Sequence, residues 1–393
     1  MLRLAIILGL LGLVGPFAID MYLPALPRIA GDLNATEAQI QATLTAYFVT
    51  FGLGQLFYGP MADQTGRKVP IVLGLAVFLA GSVGAMAAGD ATSLMLWRAF
   101  QGLGGAALMV VTRAVIRDRY TGSEATKLMA MLMLVISVSP MLAPLAGSAV
   151  IALSGWRMVF GVLAALAAVN LVLALFVMPE TLPKERRVPV NLASMRRGAK
   201  VLLTDPAFMG LTFIGGFGMA SFFVFIASAS FVYTGQFGLS PTGFSLAFAI
   251  NAVGFFGASQ VAAMLGARFG IRRVVRLAVT GFFLFTGTLA LVALAGFASL
   301  PVITALLFCG NACLGLVIPT TMVLALDDHG DIAGLASSLG GTLQMLAGGV
   351  MIVVSGLFFD GTATPMLVAI ALCAAISFTL TLISLPRRAE AAA

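Results

Sequence analysis

Apolar residues in this chain fall into long runs, not into alternating or amphipathic patterns. With Gly, Pro and charge clusters as punctuation, twelve runs emerge, near residues 3–26, 36–58, 70–88, 92–117, 125–152, 156–178, 206–233, 241–266, 272–297, 300–325, 331–358 and 362–385. A helix needs about 20 apolar residues to cross a bilayer, and at this segment length only helices satisfy their own backbone groups in hydrocarbon. The pattern predicts an all-α membrane protein of twelve transmembrane helices, with nothing left over for a separate soluble domain. The first run follows Arg3 as a secretory signal would, but no A-x-A-like site comes after it and its length is that of a span.

One long polar segment interrupts the pattern, "PETLPKERRVPVNLASMRRGAKVLLTDP" at 179–206, close to the middle of the chain. It divides the chain into a six-helix half (1–178), a basic linker (179–205) and a second six-helix half (206–393). Two parallel halves are the organisation of a transporter. A trace of the repeat is visible in the loops after the second and eighth runs, where Gly66, Arg67 and Lys68 correspond to Gly270, Arg272 and Arg273. Asp63 has no counterpart.

Composition narrows the class. Hydrophobic residues make up 60% of the 393 positions and charged residues 9%, against roughly 25% charged in soluble domains. The net charge of +7 is distributed by topology. With a cytoplasmic N-terminus, Arg67, Lys68, Arg117, Arg119, Lys127, Lys184, Arg186, Arg187, Arg196, Arg197, Lys200, Arg268, Arg272, Arg273, Arg276, Arg387 and Arg388 all face the cytoplasm, while Arg28 and Arg157 face away. This positive-inside bias puts both termini in the cytoplasm. The expected surroundings are a lipid bilayer, not nucleic acid. The chain has no G-x-x-x-x-G-K-[ST], no G-x-S-x-G and no H-E-x-x-H, which argues against an ATP-driven pump and against a membrane enzyme. A channel is disfavoured by the two-half organisation and the lack of a charged ring. Cys309, Cys313 and Cys373 lie in late apolar runs and read as small core residues. "DDHGDIAG" (327–334) holds the only His, but it reads as a helix start with Asp331 as N-cap before Ile332, not as a metal site. No metal and no cofactor are expected.

Charge inside the runs is sparse and therefore informative, since a charged group at a helix centre costs about 2.5–3.5 kcal/mol on insertion scales. From Leu4 to Ile19 sixteen residues pass without a charge; then Asp20 appears inside the run, followed by Tyr22, Pro24 and Pro27. Arg98 is the other deep charge, with Arg113 nearer a helix end. Helix 1 runs outward and helix 4 inward, so both groups lie about six residues, or about 9 Å, inside the outer boundary. Burial disfavours the charged form of a carboxylate and a neighbouring guanidinium favours it. A site poised between the two effects has a proton affinity that depends on conformation, the requirement for coupling. Asp20 with Arg98 is the candidate proton site. Gln101, Gly102 and Gly105 continue the Arg98 face at i+3, i+4 and i+7. Gln101 is placed to orient Arg98 or a ligand, and the glycines to admit a backbone or a substrate.

The stretch Gly59-x-x-x-Asp63-x-x-Gly66-Arg67-Lys68 resembles the loop signature between helices 2 and 3 of the major facilitator superfamily. "DMYLPALPRIAGDL", "GLGQLFYGPMADQTGRK", "RAFQGLGGAALMVVTRAVIRD" and "AGLASSLGGTLQMLAGG" are similar to segments of the Bcr/CflA drug:proton antiporters. "PAFMGLTFIGGFGMASFFVFIASAS" and "GFSLAFAIN" resemble the chloramphenicol/florfenicol exporters within that group. The glycine-rich antiporter motif of helix 5 is altered here. Pro140, Pro144 and Gly147 stand in it, while Ser and Ala replace the other glycines; small residues still permit close helix packing.

The resemblance implies a central cavity lined by helices 1, 4, 7 and 10, with Asp20 and Arg98 meeting there. It also implies a conformational lock at the cytoplasmic rim. Asp63 would sit against the N-terminus of helix 11, near Ile332 to Ser338, and would join Arg113 or Arg117 and Asp118. Proton-coupled efflux of a small drug of amphenicol or bicyclomycin type is the implied activity, by a monomer driven by the proton gradient alone. The alternative is a proton-coupled importer of a small metabolite. For the substrate, Asp20, Tyr22, Tyr47, Gln55, Arg98, Gln101, Asn251, Asn311 and Gln344 are the polar candidates, and Phe222 and Phe225 the aromatic ones among 29 Phe. No charged group lies well inside a second-half run, which favours a neutral or weakly polar substrate.

Overall fold

The structure, a computed structural model, describes residues 2–120, 122–187, 189 and 191–385; within these the side chains of 2–5, 122, 123, 125–127, 129, 130, 133, 192 and 331 are not described. Lys127, Arg387 and Arg388, counted above in the charge asymmetry, thus fall outside the described side chains.

Among the described residues the regular elements are all helical, and they form two compact units, Met1–Leu192 and Ala193–Ala393. The first unit contains α1 (Leu2–Asp20), the short α2 (Leu26–Asp32), α3 (Glu37–Thr65), α4 (Lys68–Met86), α5 (Ala91–Arg119), α6 (Gly122–Ser154) and α7 (Arg157–Phe176). In it α5 packs between α3 and α4, α1 lies on α6, and α4 lies on α7. The second unit begins with α8 (Leu192–Thr204), a strongly amphipathic linker helix. It continues with α9 (Pro206–Phe231), α10 (Pro241–Phe269), α11 (Ile271–Leu294), α12 (Leu300–Asp327), α13 (Ala333–Leu357) and α14 (Ala363–Ser384). Here α12 packs between α10 and α11, α9 on α13, and α11 on α14, the packing order of the first unit repeated.

The loop repeat seen in the sequence has a backbone basis. α3 and α10 are both 29 residues long, and each ends at a glycine in the left-handed region, Gly66 at φ +95° and Gly270 at φ +83°. A side chain is strained there and glycine is not, so the chain turns directly into the next helix at each place. Polar N-caps fix several helix starts. Thr36 with Gln39 and Asp90 with Ser93 form reciprocal capping boxes on α3 and α5, and Asp205 and Ser240 cap α9 and α10. Such side chains satisfy amides that a helix start leaves without partners.

One span is less apolar than the rest, and one sequence expectation changes at this level. By length and composition eleven spans among the described residues are apolar enough to cross a membrane, α1 and α2 together making the first. α3, expected as the second span, falls below that apolarity because it carries Gln41, Thr43, Thr45, Tyr47, Thr50 and Gln55. Thr43, Thr45, Tyr47 and Thr50 bond to backbone carbonyls within the unit. The Thr50 hydroxyl, for instance, donates to the Ala99 carbonyl of α5 at 2.8 Å. Asp331 is not the N-cap of α13. That helix opens at Ala333 with Ile332 in the cap position and no side-chain cap, and residues Gly330–Ile332 form a single 3₁₀ turn before it.

Candidate functional site

The first span is broken at its carboxylate. α1 ends at Asp20, Leu23–Ala25 makes one 3₁₀ turn, and α2 resumes at Leu26. An uninterrupted helix would need the amide of residue 24 for the Asp20 carbonyl and that of residue 27 for the Leu23 carbonyl. Both are proline and have no N–H. The Tyr22 amide turns to the Ile19 carbonyl at 3.2 Å, which leaves the carbonyl of Ala18 free. Arg98 takes it, donating from Nη1 at 2.9 Å.

Arg98 is fully buried and almost wholly enclosed by aromatic and amide groups. The rings of Tyr22 and Tyr47 lie over its two sides, each centroid 4.5 Å from Cζ. Its Nη1 also donates to Gln101 Oε1 at 2.7 Å. Gln101 Nε2 donates to Ser82 Oγ at 2.7 Å, and the Ser82 hydroxyl to the Phe78 carbonyl at 2.8 Å. The rings are themselves held. Thr43 donates to the Ile40 carbonyl at 2.6 Å and so accepts from the Tyr22 hydroxyl at 2.8 Å, while the Tyr47 hydroxyl donates to the Gly15 carbonyl at 3.2 Å. Nε and Nη2 of Arg98 have no partner among the described residues.

Asp20 is 5% exposed and lies within electrostatic range of the Tyr47 hydroxyl. Among the described residues its carboxylate is in no ion pair. The expected meeting of Asp20 with Arg98 therefore takes another form. The guanidinium is drawn to the carbonyl that the helix break frees, two residues before the carboxylate, and the tyrosines hold it there.

The glycines of the Arg98 face are packing devices. A Cβ on Gly102 would run into the Tyr47 carbonyl of α3, and one on Gly104 into the Gly74 carbonyl of α4. Gly147 of the altered antiporter motif has the same role on the other side of α1: a Cβ there would strike the Met21 carbonyl, next to Asp20. Pro140 and Pro144 lie within the same helix, α6. The motif thus supports the break from behind.

At the other end of the unit, Arg67 is the hub of the loop after α3. Its Nη1 bonds Asp63 Oδ1 at 2.7 Å, and its Nε and Nη2 bond Asp118 Oδ2 and Oδ1 at 2.7 and 3.2 Å. Burial works against the Arg67 charge, and the bonds to Asp118 and Asp63 more than offset it, so the guanidinium is held above its ordinary value. Lys68 donates from Nζ to the Leu175 carbonyl at 2.6 Å. Gly59 faces Val110 of α5. Arg113 and Arg117 do not join this cluster, contrary to expectation. The one described contact of Arg113 is Nη2 to Met109 Sδ at 3.8 Å, and Arg117 is exposed. Asp118 is instead taken in bidentate fashion by Arg67, the geometry a guanidinium fork favours.

Glu180, in the linker, completes the loop and was not singled out in the sequence. Its Oε1 accepts from the backbone amides of Arg67 (2.9 Å), Thr181 (2.8 Å) and Leu182 (2.9 Å), and its Oε2 from Lys68 at 3.2 Å. Burial raises its proton affinity, but these four amides bring it below the ordinary carboxylate range. A Cβ on Gly66 would lie 2.5 Å from Glu180 Oε2. Its close approach, as well as its φ, requires glycine. The contact links residues 113 positions apart, and no local pattern in the sequence marks it.

In the second unit the aromatic candidates form a packed ladder. Phe222 stacks on Phe255 at 5.1 Å, and Phe225 on Phe248 at 5.6 Å with planes 2° apart. Phe225 and Phe248 are buried, so Phe225 reads as core, while Phe222 keeps 8% exposure. Asn251 and Asn311 bond each other, Nδ2 of Asn311 to Oδ1 of Asn251 at 3.3 Å, and join α10 to α12. Gln344 lines a small cavity of about 30 Å³ between α9, α12 and α13, with Thr212, Thr321 and Gly340. Gln55 is half-buried on α3. His329 Nε2 lies 2.8 Å from Asp205 Oδ2 and ties the turn before α13 to the start of α9.

Residues 8–352 match the family described as Major Facilitator Superfamily. The chain belongs to the major facilitator superfamily. It is accordingly a multi-pass membrane transporter and not an enzyme. It is 33% identical over 367 residues to the uncharacterized MFS-type transporter YdgK of Bacillus subtilis, covering 93% of this chain and 91% of that one. To the bicyclomycin resistance protein homolog of Haemophilus influenzae it is 32% identical over 376 residues, covering 94% and 93%. Multidrug resistance protein D of Escherichia coli is 32% identical over 259 residues, covering 65% and 64%. Among solved structures, a D-xylose-proton symporter superposes with a TM-score of 0.76 at 16% identity, covering 98% of this chain and 97% of that one, and shares the fold.

Proposed function

We propose that this transporter exports small, neutral or weakly polar drugs of amphenicol or bicyclomycin type in exchange for protons, by alternating access. It would act as a monomer in the bacterial inner membrane, with both termini cytoplasmic and no cofactor beyond the proton gradient. The names of its relatives support drug efflux, and the distribution of basic residues supports the orientation.

The observation that carries the coupling is Asp20: a nearly buried carboxylate at a proline-made helix break, with the Arg98 guanidinium anchored to the backbone two residues earlier. Broken spans with exposed backbone polar groups are where transporters place ion and substrate sites. In this reading a proton from the outside neutralises the Asp20 carboxylate, and it leaves to the cytoplasm when drug or the free Nε and Nη2 of Arg98 compete for the same oxygens. The energetics suffice. One charge crossing about 150 mV gains about 3.5 kcal/mol, which sustains a few-hundredfold gradient at about 1.4 kcal/mol per tenfold.

The test is uptake of labelled chloramphenicol, and separately bicyclomycin, into inverted membrane vesicles with an acidified lumen. Accumulation that a protonophore abolishes supports the reading. Uptake that is unaffected by the protonophore, or proton-driven movement in the opposite sense, overturns it.

A further inference from the structure

The part of the first span beyond the break is fastened at its far end. α2 ends at Asp32, and Asp32 Oδ2 accepts a hydrogen bond from Trp156 Nε1 at 2.8 Å. Trp156 is the residue before α7 and is 2% exposed. It is fixed from two other directions. The Arg157 guanidinium lies 4.2 Å above its ring, and Arg157 Nη2 donates to the Ala88 carbonyl, just past α4, at 3.1 Å. Trp156 and Arg157 thus gather the ends of α2, α4 and α7.

From Trp156 a line of rings runs back to the buried cation. Trp156 meets Phe160 edge-on at 6.1 Å, Phe160 meets Tyr22 at 5.5 Å, and Tyr22 lies over Arg98 at 4.5 Å. The segment between the break and Asp32 is therefore held at both ends: at Tyr22 by Thr43 and Arg98, and at Asp32 by Trp156. Pro24 and Pro27 supply no amide to the Asp20 and Leu23 carbonyls where it joins α1, so it is the part of this span that can pivot.

We propose that the Asp32–Trp156 hydrogen bond latches Leu23–Asp32 against α7, and that Asp32 and Trp156 act as positioning residues that set when Asp20 exchanges its proton. The inference rests on the reading of Asp20 as the proton site. Opening the latch lets α2 swing, lifts Tyr22 from Arg98, and frees the guanidinium for the carboxylate. Along the chain Arg28 lies on α2 and Glu37 begins α3; Arg157 lies against the Trp156 ring, and the titratable groups at the break are Asp20, Tyr22, Tyr47 and Arg98.

Trp97 and Trp156 are the only tryptophans, so Trp97→Phe leaves the latch residue as the sole indole emitter. The full chain is reconstituted in vesicles, and Trp156 emission and proton-driven chloramphenicol transport are followed from pH 5 to 9 in this background, in Asp32→Ala and in Asp20→Asn. The latch predicts a pH-dependent change in Trp156 emission that Asp20→Asn removes. It also predicts that Asp32→Ala moves the midpoint of the transport profile by roughly half a pH unit or more, while Asp32→Asn, which keeps an acceptor for the indole, restores it. If Asp32→Ala lowers transport equally at all pH values, or leaves it unchanged, the latch is only structural and the proposal fails, with Asp20 as the proton site intact. If Asp20→Asn leaves both the emission and the transport profile as they were, the proton-site reading fails, and the latch with it.

Discussion

The Arg98 guanidinium is bonded to the carbonyl oxygen of Ala18 at 2.9 Å and forms no ion pair with Asp20, two residues further along the same span. Pro24 and Pro27 explain why. By removing two amides they stop α1 at Asp20, and the loosened turn leaves Ala18 without its usual partner. An arginine at that depth has a neutral backbone acceptor, two aromatic faces and Gln101, which lets it be buried without neutralising the carboxylate.

Removing Gln101 should therefore be felt through Arg98. Gln101→Leu leaves Arg98 Nη1 with one acceptor and Ser82 with no amide, and buried polar groups left unpaired cost about 1–3 kcal/mol. Thermal unfolding in detergent should show a lower midpoint for Gln101→Leu and a smaller loss for Gln101→Glu, which keeps the acceptor.

Gly147→Val should disturb transport more than expression. Its added atoms meet the Met21 carbonyl at the break, and overpacking of a tight contact costs about 1–3 kcal/mol. Gly89→Ala, where a Cβ meets nothing within 4 Å, is the control and should behave as the native chain. Equal transport by Gly147→Val and native protein would separate the antiporter motif from the Asp20 site.

Much of this was legible from sequence, and the limits have physical causes. The twelve long helices follow from the apolar runs, and the rarity of charge in those runs singles out Asp20 and Arg98, which the structure buries; both are local properties. Gly66 and Gly270 were matched by sequence alone, and their positive φ gives the reason. Partners were harder. The Arg98 acceptor is a backbone carbonyl 80 positions away, invisible in any side-chain pattern, and Glu180 acts on amides rather than on a complementary charge. α3 reads as a span although its Thr and Gln residues lower its hydropathy, and those that bond are satisfied within the unit. Asp63 was expected to join Arg113 or Arg117 and Asp118, where the fork of Arg67 takes both carboxylates.

The Glu180 clamp carries a pH signature. Its folded proton affinity lies below the ordinary value of 4.5, so its stabilising effect is fully present above that value and is lost as pH falls through the lower folded value. Limited proteolysis of the loop at 66–68 should be slow at pH 7 and accelerate on acidification below about pH 4.5. In Glu180→Gln, cleavage should be faster at pH 7 and nearly independent of pH over the same range.

The buried asparagine pair should couple. Asn251→Leu or Asn311→Leu leaves one amide unpaired, whereas the double substitution removes both. The two single variants should each lower the unfolding midpoint and the double variant should recover part of the loss, a coupling of about 0.6 kcal/mol or more by the standard of helix pairs in membranes. Strict additivity would mean that the 3.3 Å contact contributes nothing.

The central claim is that Asp20 carries the transported proton. The direct measurement compares native protein and Asp20→Asn in the same proteoliposomes by two assays: chloramphenicol accumulation driven by a pH gradient, and exchange of labelled for unlabelled chloramphenicol at equal pH. The account predicts that Asp20→Asn loses gradient-driven accumulation and retains exchange, because asparagine fills the site without binding a proton. Gradient-driven accumulation by Asp20→Asn equal to that of the native protein would contradict it.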